Sequence, residues 1–241
     1  RNAAREPEVV DLCKYLVNAG AIINGFGTDT IVITGVDRLR SNRYRIIGDR
    51  IEAFSYMAAV AASRGDVVFE GLDFPSLMRR PIEVLREMNL AVEELTPDRV
   101  RVYYVDKLKP ISITTDVYPG FSTDLQAPTM AVLGVVKGES RIRETIFEKR
   151  FMHVPELNRL GASIVINNDL AIINGVSSYY GANVMASDIR AGMALVIAAL
   201  QAKGKTEISR IYHIERGYEN FVDKLRSCGA ELEITSENAE I

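Results

Sequence analysis

Two kinds of apolar pattern alternate along the chain. The first is nearly continuous: Met57-Ala-Ala-Val-Ala-Ala62 and Met193-Ala-Leu-Val-Ile-Ala-Ala199 are apolar all round a helix, which predicts helices buried on most sides. Their starts are predicted at Asp49-Arg-Ile-Glu52-Ala, Thr123-Asp-Leu-Gln126-Ala and Ser187-Asp-Ile-Arg190-Ala. Asp49, Thr123 and Ser187 carry side-chain oxygens that accept from free amides of a first turn, and Glu52 and Gln126 stand where a capping box reaches back. The third copy has Arg190 in that place. Each helix is predicted to end at a glycine, Gly65, Gly138 or Gly204, followed by a β-rich run at 67–69, 141–146 or 206–211.

The second pattern is amphipathic and ends four times in the same way, at Leu16-Val-Asn-Ala-Gly20, Leu85-Arg-Glu-Met-Asn89, Leu157-Asn-Arg-Leu-Gly161 and Leu225-Arg-Ser-Cys-Gly229. Glycine and asparagine enter the left-handed conformation most easily, so each ending predicts a helix cap. Alternating strands follow at 21–24 and 31–34, and again at 163–167 and 171–174, joined by turn residues. The four endings lie about 70 residues apart, which makes them a repeat. The unit is a buried helix, a strand, an amphipathic helix and a strand pair, with a further strand leading into the next buried helix: a βαββαβ unit in cyclic order. Nearly three units fit between Ile47 and Ile234, and residues 1–46 match the back half of another. The polar, basic passage at 38–45 predicts a crossing between two domains.

Composition narrows the function classes. Among 241 residues, Lys plus Arg number 29 and Asp plus Glu 32, a net charge of −3 that gives no global attraction to nucleic acid or anionic membrane. The strongly apolar stretch at 191–202 is shorter than the roughly 20 residues a bilayer needs. A soluble protein of a reducing cytoplasm is expected, because Cys13 and Cys228 form neither a metal spacing nor a disulfide framework. Both cysteines read as small core residues. The chain opens on Arg1 rather than Met, inside structured sequence, so a piece of something longer is expected.

Candidate chemistry begins with Arg190. A cation in the first turn of a helix is unfavourable unless an anion sits there, so the Asp188/Arg190 pair points to a ligand site; pairing with Asp188 or exposure to water is the alternative. The runs at 146–153 and 211–218 occupy matching places in two units, and each sets an arginine, Arg150 or Arg216, beside aromatics and a histidine. Related by a rotation, Arg150, Arg190 and Arg216 would converge on one pole and grip a ligand bearing phosphate and carboxylate; a solvated arginine surface is the alternative. Asp124, just inside a buried helix, either complements its dipole or serves as general base. His153 and His213 lack acidic neighbours at ligand spacing, so no metal and no cofactor is expected.

The longer motifs carry a resemblance. Asn2-Ala-Ala-Arg-Glu-Pro-Glu8, Gly48-Asp-Arg50-Ile-Glu, Thr123-Asp-Leu-Gln126-Ala, Glu144-Thr-Ile-Phe-Glu-Lys-Arg150-Phe-Met-His-Val-Pro-Glu156, Ala186-Ser-Asp-Ile-Arg190-Ala and Arg210-Ile-Tyr-His-Ile-Glu-Arg216-Gly-Tyr218 run in collinear order. Together they closely resemble the UDP-N-acetylglucosamine 1-carboxyvinyltransferases, a branch of the enolpyruvyl transferases whose sister branch acts on shikimate 3-phosphate. The resemblance implies the inside-out α/β barrel, with residues 1–47 the end of a first domain and 48–241 most of a second. It implies transfer of the enolpyruvyl group of phosphoenolpyruvate to the 3′-hydroxyl of UDP-N-acetylglucosamine, the first committed step of peptidoglycan synthesis in the bacterial cytoplasm. It makes Arg150, Arg190 and Arg216 the grip on phosphoenolpyruvate, Asp124 the acceptor of the sugar hydroxyl proton and Ile146 a contact of the uridine nucleotide site; Arg50 and Asp188 fit the motif with less defined roles. The family's general-acid loop, carrying Cys or Asp, and its Lys-Asn pair match no position here. The expectation is therefore one wall of an active site, whose partner is the missing first domain, and a chain inactive alone; a non-catalytic anion-binding module is the competing reading.

Overall fold

Three nearly apolar helices fill the centre of the molecule, and sheets lie outside them. The structure, a computed structural model, describes residues 1–235. In chain order the helices are α1 (Pro7–Asn18), α2 (Arg50–Ser63), α3 (Phe74–Leu77), α4 (Arg79–Glu87), α5 (Gln126–Leu133), α6 (Val154–Arg159), α7 (Ile189–Ala199), α8 (Tyr212–Glu215) and α9 (Phe221–Ser227). The strands are β1 (Ile22–Asn24), β2 (Val32–Thr34), β3 (Asp66–Glu70), β4 (Ala91–Thr96), β5 (Arg99–Tyr103), β6 (Ser112–Thr114), β7 (Glu139–Arg143), β8 (Ser163–Asn167), β9 (Leu170–Asn174), β10 (Tyr179–Tyr180), β11 (Asn183–Met185), β12 (Ala202–Lys203) and β13 (Glu207–Ser209). Helices α2, α5 and α7 each pack on the other two, and every residue of α5 is buried. Small side chains let the axes approach. At Gly192 of α7 a Cβ would stand 2.5 Å from the Ile214 side chain of α8, so glycine there sets how closely those helices pack.

The repeat is visible in the strand pairing. The strand after each of the first two buried helices pairs antiparallel with the second strand of its hairpin, giving the orders β3-β5-β4 and β7-β9-β8. The strand leading into a buried helix pairs parallel with the strand leaving it, as β6 with β7 and β11 with β13. Each such pair is a β-α-β crossover that turns its helix inward. Gly20, Asn89, Gly161 and Gly229 all have positive φ, from 70° to 102°, so the four predicted caps fall where the periodicity puts them. The third unit differs: no strand occurs at 230–235, and 236–241 lie outside the described residues.

Local chemistry shifts several predicted boundaries. The first buried helix ends one residue early, with Arg64 rather than Gly65 left-handed at φ 54°. Helix α5 stops at Leu133, five residues before Gly138, where Gly134 lies under the Tyr179 hydroxyl that donates to the Ala131 carbonyl at 3.0 Å. Caps also move: Ser122, not Thr123, accepts from the Asp124 amide, and Asp188, not Ser187, accepts from the amides of Arg190 and Ala191, both at 2.9 Å. Asp49 caps α2 as expected, but Glu52 turns away to Lys224 at 2.7 Å, so no capping box closes. Cys13 is buried, whereas Cys228, at the turn that ends α9, is exposed rather than core.

Residues 1–47 form α1, the β1-β2 hairpin and the greater part of a passage from 35 to 49 without helix or strand. Leu12, Ile22, Val32, Ile33, Leu39 and Ile46 are exposed along it. Polar contacts hold α1 to the passage and to the start of α2: Tyr44 donates to Asp11 at 2.7 Å, and Arg50 meets Glu8 through two hydrogen bonds at 2.7 and 3.2 Å.

Candidate active site

The starts of α5 and α7 meet, and they bring together residues far apart in sequence. The Asp124 carboxylate, in the turn before α5, accepts from Arg150 at 2.5 Å and stands 3.7 Å from the Arg190 guanidinium. Two guanidiniums thus share the Asp124 carboxylate, and neither has it to itself. The three side chains are 19–34 % exposed, open enough to meet a ligand and sheltered enough for charge to count. Thr123, Gln126, Arg150, His153, Asp188 and Arg190 line one depression; Glu6, Arg50, Asp116, Tyr118, Thr123 and Ile146 are among those lining a second. Thr123 belongs to both and forms their shared wall.

Arg190 answers the question its position raises. Asp188 is spent on the helix amides, so it does not pair with the Arg190 guanidinium, which instead donates to the Tyr218 hydroxyl at 3.3 Å and approaches Asp124. The side chain is neither bonded to its neighbour nor free in water. Arg216 is not brought into this cluster: it is exposed at the end of α8, and no hydrogen bond or ion pair of its side chain is found among the described residues. The next residue, Gly217, lies against the start of α7, so Arg216 stands on the same rim. Arg50 is almost wholly buried, paired with Glu8 and 5.6 Å above the Tyr118 ring. Ile146 sits half-buried at the second depression with its amide committed to Glu144 at 2.9 Å.

Glu144 was absent from the expected site and organises it. Its buried carboxylate accepts from the hydroxyls of Thr115 and Thr123 at 2.9 and 2.8 Å and from the amides of Ile146 and Phe147 at 2.9 and 3.2 Å. Four donors satisfy the charge without a cation. Thr123 in turn accepts from Arg150 at 2.8 Å, and Gln126 donates to the Arg150 carbonyl at 3.1 Å, so the loop's side chain and backbone are both fixed. A signal existed in the alternation of β7, where Ser140 and Ile142 face inward and Glu144 falls in the same phase. A carboxylate at a core-facing position must find partners.

His153 opens α6 and is buried. Burial pushes its pKa down from 6.5 to about 4, Arg150 pushes the same way, and Asp188 opposes both. The ring is therefore neutral near pH 7. Its Nε2, like Gln126 Oε1, has no protein partner among the described residues.

Comparison with known proteins agrees with this architecture. The family model described as EPSP synthase (3-phosphoshikimate 1-carboxyvinyltransferase) matches residues 1–225. Among curated relatives, the UDP-N-acetylglucosamine 1-carboxyvinyltransferase of Sphingopyxis alaskensis is 48% identical over 96% of this chain and 54% of its own length. That of Methylorubrum extorquens is 50% identical over 96% of this chain and 54% of its own. The chain spans about half the length of these relatives. Among solved structures, the enolpyruvyl transferase NikO from Streptomyces tendae superposes with a TM-score of 0.81 at 27% identity, covering 94% of this chain and 54% of that one. EPSP synthase from Acinetobacter baumannii gives 0.70 at 18% identity over 92% and 55%, a likeness of fold. Matched over nearly all its length and built on the same repeated units, the chain belongs to the EPSP synthase family of enolpyruvyl transferases.

Proposed function

We propose that the full-length protein containing this chain transfers the enolpyruvyl group of phosphoenolpyruvate to the 3′-hydroxyl of UDP-N-acetylglucosamine, a cytoplasmic step of bacterial peptidoglycan synthesis. The observation that carries the reading is the convergence of Arg150 and Arg190 on Asp124, in a chain about half identical to enzymes named for that reaction. The reaction is an addition followed by an elimination. The sugar oxygen bonds to C2 of phosphoenolpyruvate while C3 gains a proton; the C2–O bond to phosphate then breaks and C3 returns a proton. Both reactants bring phosphate groups, so the site needs fixed cations, which Arg150 and Arg190 supply and Arg216 joins from the rim.

Asp124 has a role that its two arginine partners explain. An arriving phosphate or carboxylate competes for the guanidiniums, and each donor it takes releases an Asp124 oxygen to accept the sugar hydroxyl proton. Binding of the anion and readiness of the base are then one event. Ile146 lies beside the nucleotide, with Glu144 holding its loop. Asp188 keeps the first turn of α7 in place under Arg190, and Arg50 locks α1 to the start of α2. Residues 1–47 are read as the end of a first domain whose remainder covers the exposed apolar residues of α1 and the hairpin, and 48–241 as most of the second.

The test is phosphate release by the full-length protein with phosphoenolpyruvate and either acceptor. Turnover with UDP-N-acetylglucosamine is the expected result. Turnover with shikimate 3-phosphate alone would move the protein to the sister branch, and turnover with neither would overturn the reading. The isolated 241-residue chain is expected to release none.

A further inference from the structure

Tyr218 is the largest buried group that touches the anion-binding side chains, and the addition and elimination give it no part. It follows Gly217 after α8, is fully buried, and packs edge-on against Tyr56 with ring centroids 6.4 Å apart. The Arg190 guanidinium lies 5.7 Å from its ring centre and donates to its hydroxyl at 3.3 Å. On its other side the same hydroxyl is 2.8 Å from Ser55 Oγ on α2, and Ser55 Oγ donates to the Ile51 carbonyl at 2.9 Å.

Counting protons fixes the direction of these hydrogen bonds. Ser55 has one hydroxyl proton, and the Ile51 carbonyl can only accept, so that proton is committed. Tyr218 must then donate to Ser55 Oγ, which leaves its lone pairs turned outward to accept from Arg190. Burial raises the phenol pKa above its ordinary value although Arg190 and Ser55 oppose it, so the hydroxyl keeps its proton. The order is Arg190 to Tyr218 to Ser55 to Ile51, from the start of α7 to the first turns of α2. Gly217 permits the approach, because a Cβ there would stand 2.8 Å from Ile189.

We propose that Tyr218 is a positioning residue that holds Arg190 off Asp124, keeping its guanidinium open to the anionic substrate. The inference rests on reading Arg190 as an anion-gripping residue. At 3.7 Å the Arg190–Asp124 pair, through Nη2, is not closed, and the Tyr218 hydroxyl holds the other terminal nitrogen, Nη1. Remove that oxygen and the guanidinium settles onto Asp124, so an incoming anion must first break a full ion pair.

The experiment uses the full-length protein and two probes, inorganic phosphate by calorimetry and phosphoenolpyruvate in turnover. Tyr218→Phe keeps the ring and removes the oxygen. It is expected to weaken phosphate binding and raise the KM for phosphoenolpyruvate about tenfold, as for loss of a hydrogen bond to a charged group. The KM for UDP-N-acetylglucosamine and the melting temperature are expected to stay put. Ser55→Ala, which removes the acceptor for Tyr218, should act in the same direction and serves if Tyr218→Phe fails to fold. In an Arg190→Lys background Tyr218→Phe should add nothing, since the coupling is the claim. Unchanged phosphate binding in both Tyr218→Phe and Ser55→Ala, or an equal effect in the Arg190→Lys background, overturns the positioning role. If Arg190→Lys leaves phosphate binding unchanged, the reading of Arg190 fails instead. Weakened phosphate binding in a protein that shows no turnover keeps the positioning role and discards the reaction.

Discussion

Two arginine clusters lie close together near the starts of the buried helices and do opposite things. At Arg50 one guanidinium meets one carboxylate through two hydrogen bonds, with the arginine side chain 5% exposed and a tyrosine ring over it. Its charge is matched. At Asp124 one carboxylate is shared by two guanidiniums, and all three side chains are partly open. An arginine's role is thus decided by whether a carboxylate closes on it alone, as at Arg50, or is shared and left open, as at Asp124. The first cluster is a fastener between two stretches of chain; the second is arranged to be completed by an anion.

That contrast can be broken at several points. The largest effect is expected for Asp124→Asn in the full-length protein: turnover should fall by about 100-fold or more, as for loss of a general base. Inorganic phosphate should meanwhile bind more tightly, because two cations lose their carboxylate. Steady-state kinetics and calorimetry separate the two outcomes, and a joint loss of both would make Asp124 a folding residue.

At the matched pair the effect should fall on stability and be asymmetric. Glu8→Ala strands a buried guanidinium and should cost about 3 kcal/mol. Arg50→Met leaves Glu8, whose side chain is 49% exposed, in contact with water and should cost about 1 kcal/mol. Urea unfolding midpoints compare them, and equal losses would show that burial of Arg50 is not the reason.

His153 gives a pH test of the open cluster. Its folded pKa of about 4 lies below the ordinary 6.5, so the unfolded chain binds more protons in that interval. Stability should therefore fall as pH drops from about 6.5 to about 4, by on the order of 3 kcal/mol for this group. His153→Phe should flatten that part of the profile; an unchanged slope would assign it to other groups. The smallest effect is expected at Asp66, whose ion pair with Arg101 at 2.6 Å lies between two strands in water. Asp66→Asn should leave the unfolding midpoint unmoved, because exposed pairs are screened.

The range of each interaction decided how legible it was in the sequence. The four left-handed caps depend on neighbours a few residues away, and Gly20, Asn89, Gly161 and Gly229 stand where the repeat puts them. Arg190 was conspicuous because it violates the local rule for a first turn. For Glu144 the strand alternation marks a core-facing carboxylate but not its partners, and Tyr218 carries no local signal, because those partners are remote: Thr115 and Thr123 lie 29 and 21 residues from Glu144, and Ser55 lies 163 from Tyr218. The cap shifts from Thr123 to Ser122 and from Ser187 to Asp188 have another cause. Adjacent residues of equal capping chemistry compete, and tertiary contacts choose, with Thr123 taken by Arg150 and Glu144. Arg216 is exposed beside Gly217, which lies against Ile189 at the start of α7, and rotation of the repeat alone does not bring it onto Asp124.

One position occurs once on each buried helix, and its three occupants differ in charge: Glu52, Gln126 and Arg190. Glu52 is tethered to Lys224, Gln126 to the carbonyl of Arg150, and Arg190 to Tyr218 beside Asp124. Counted from the caps Asp49, Ser122 and Asp188, these residues stand three, four and two places on, so each helix start presents its side chain from a backbone setting of its own. Transplanting one of these side chains to another helix start would then mean moving its cap with it, because the side chain alone would arrive in the wrong register.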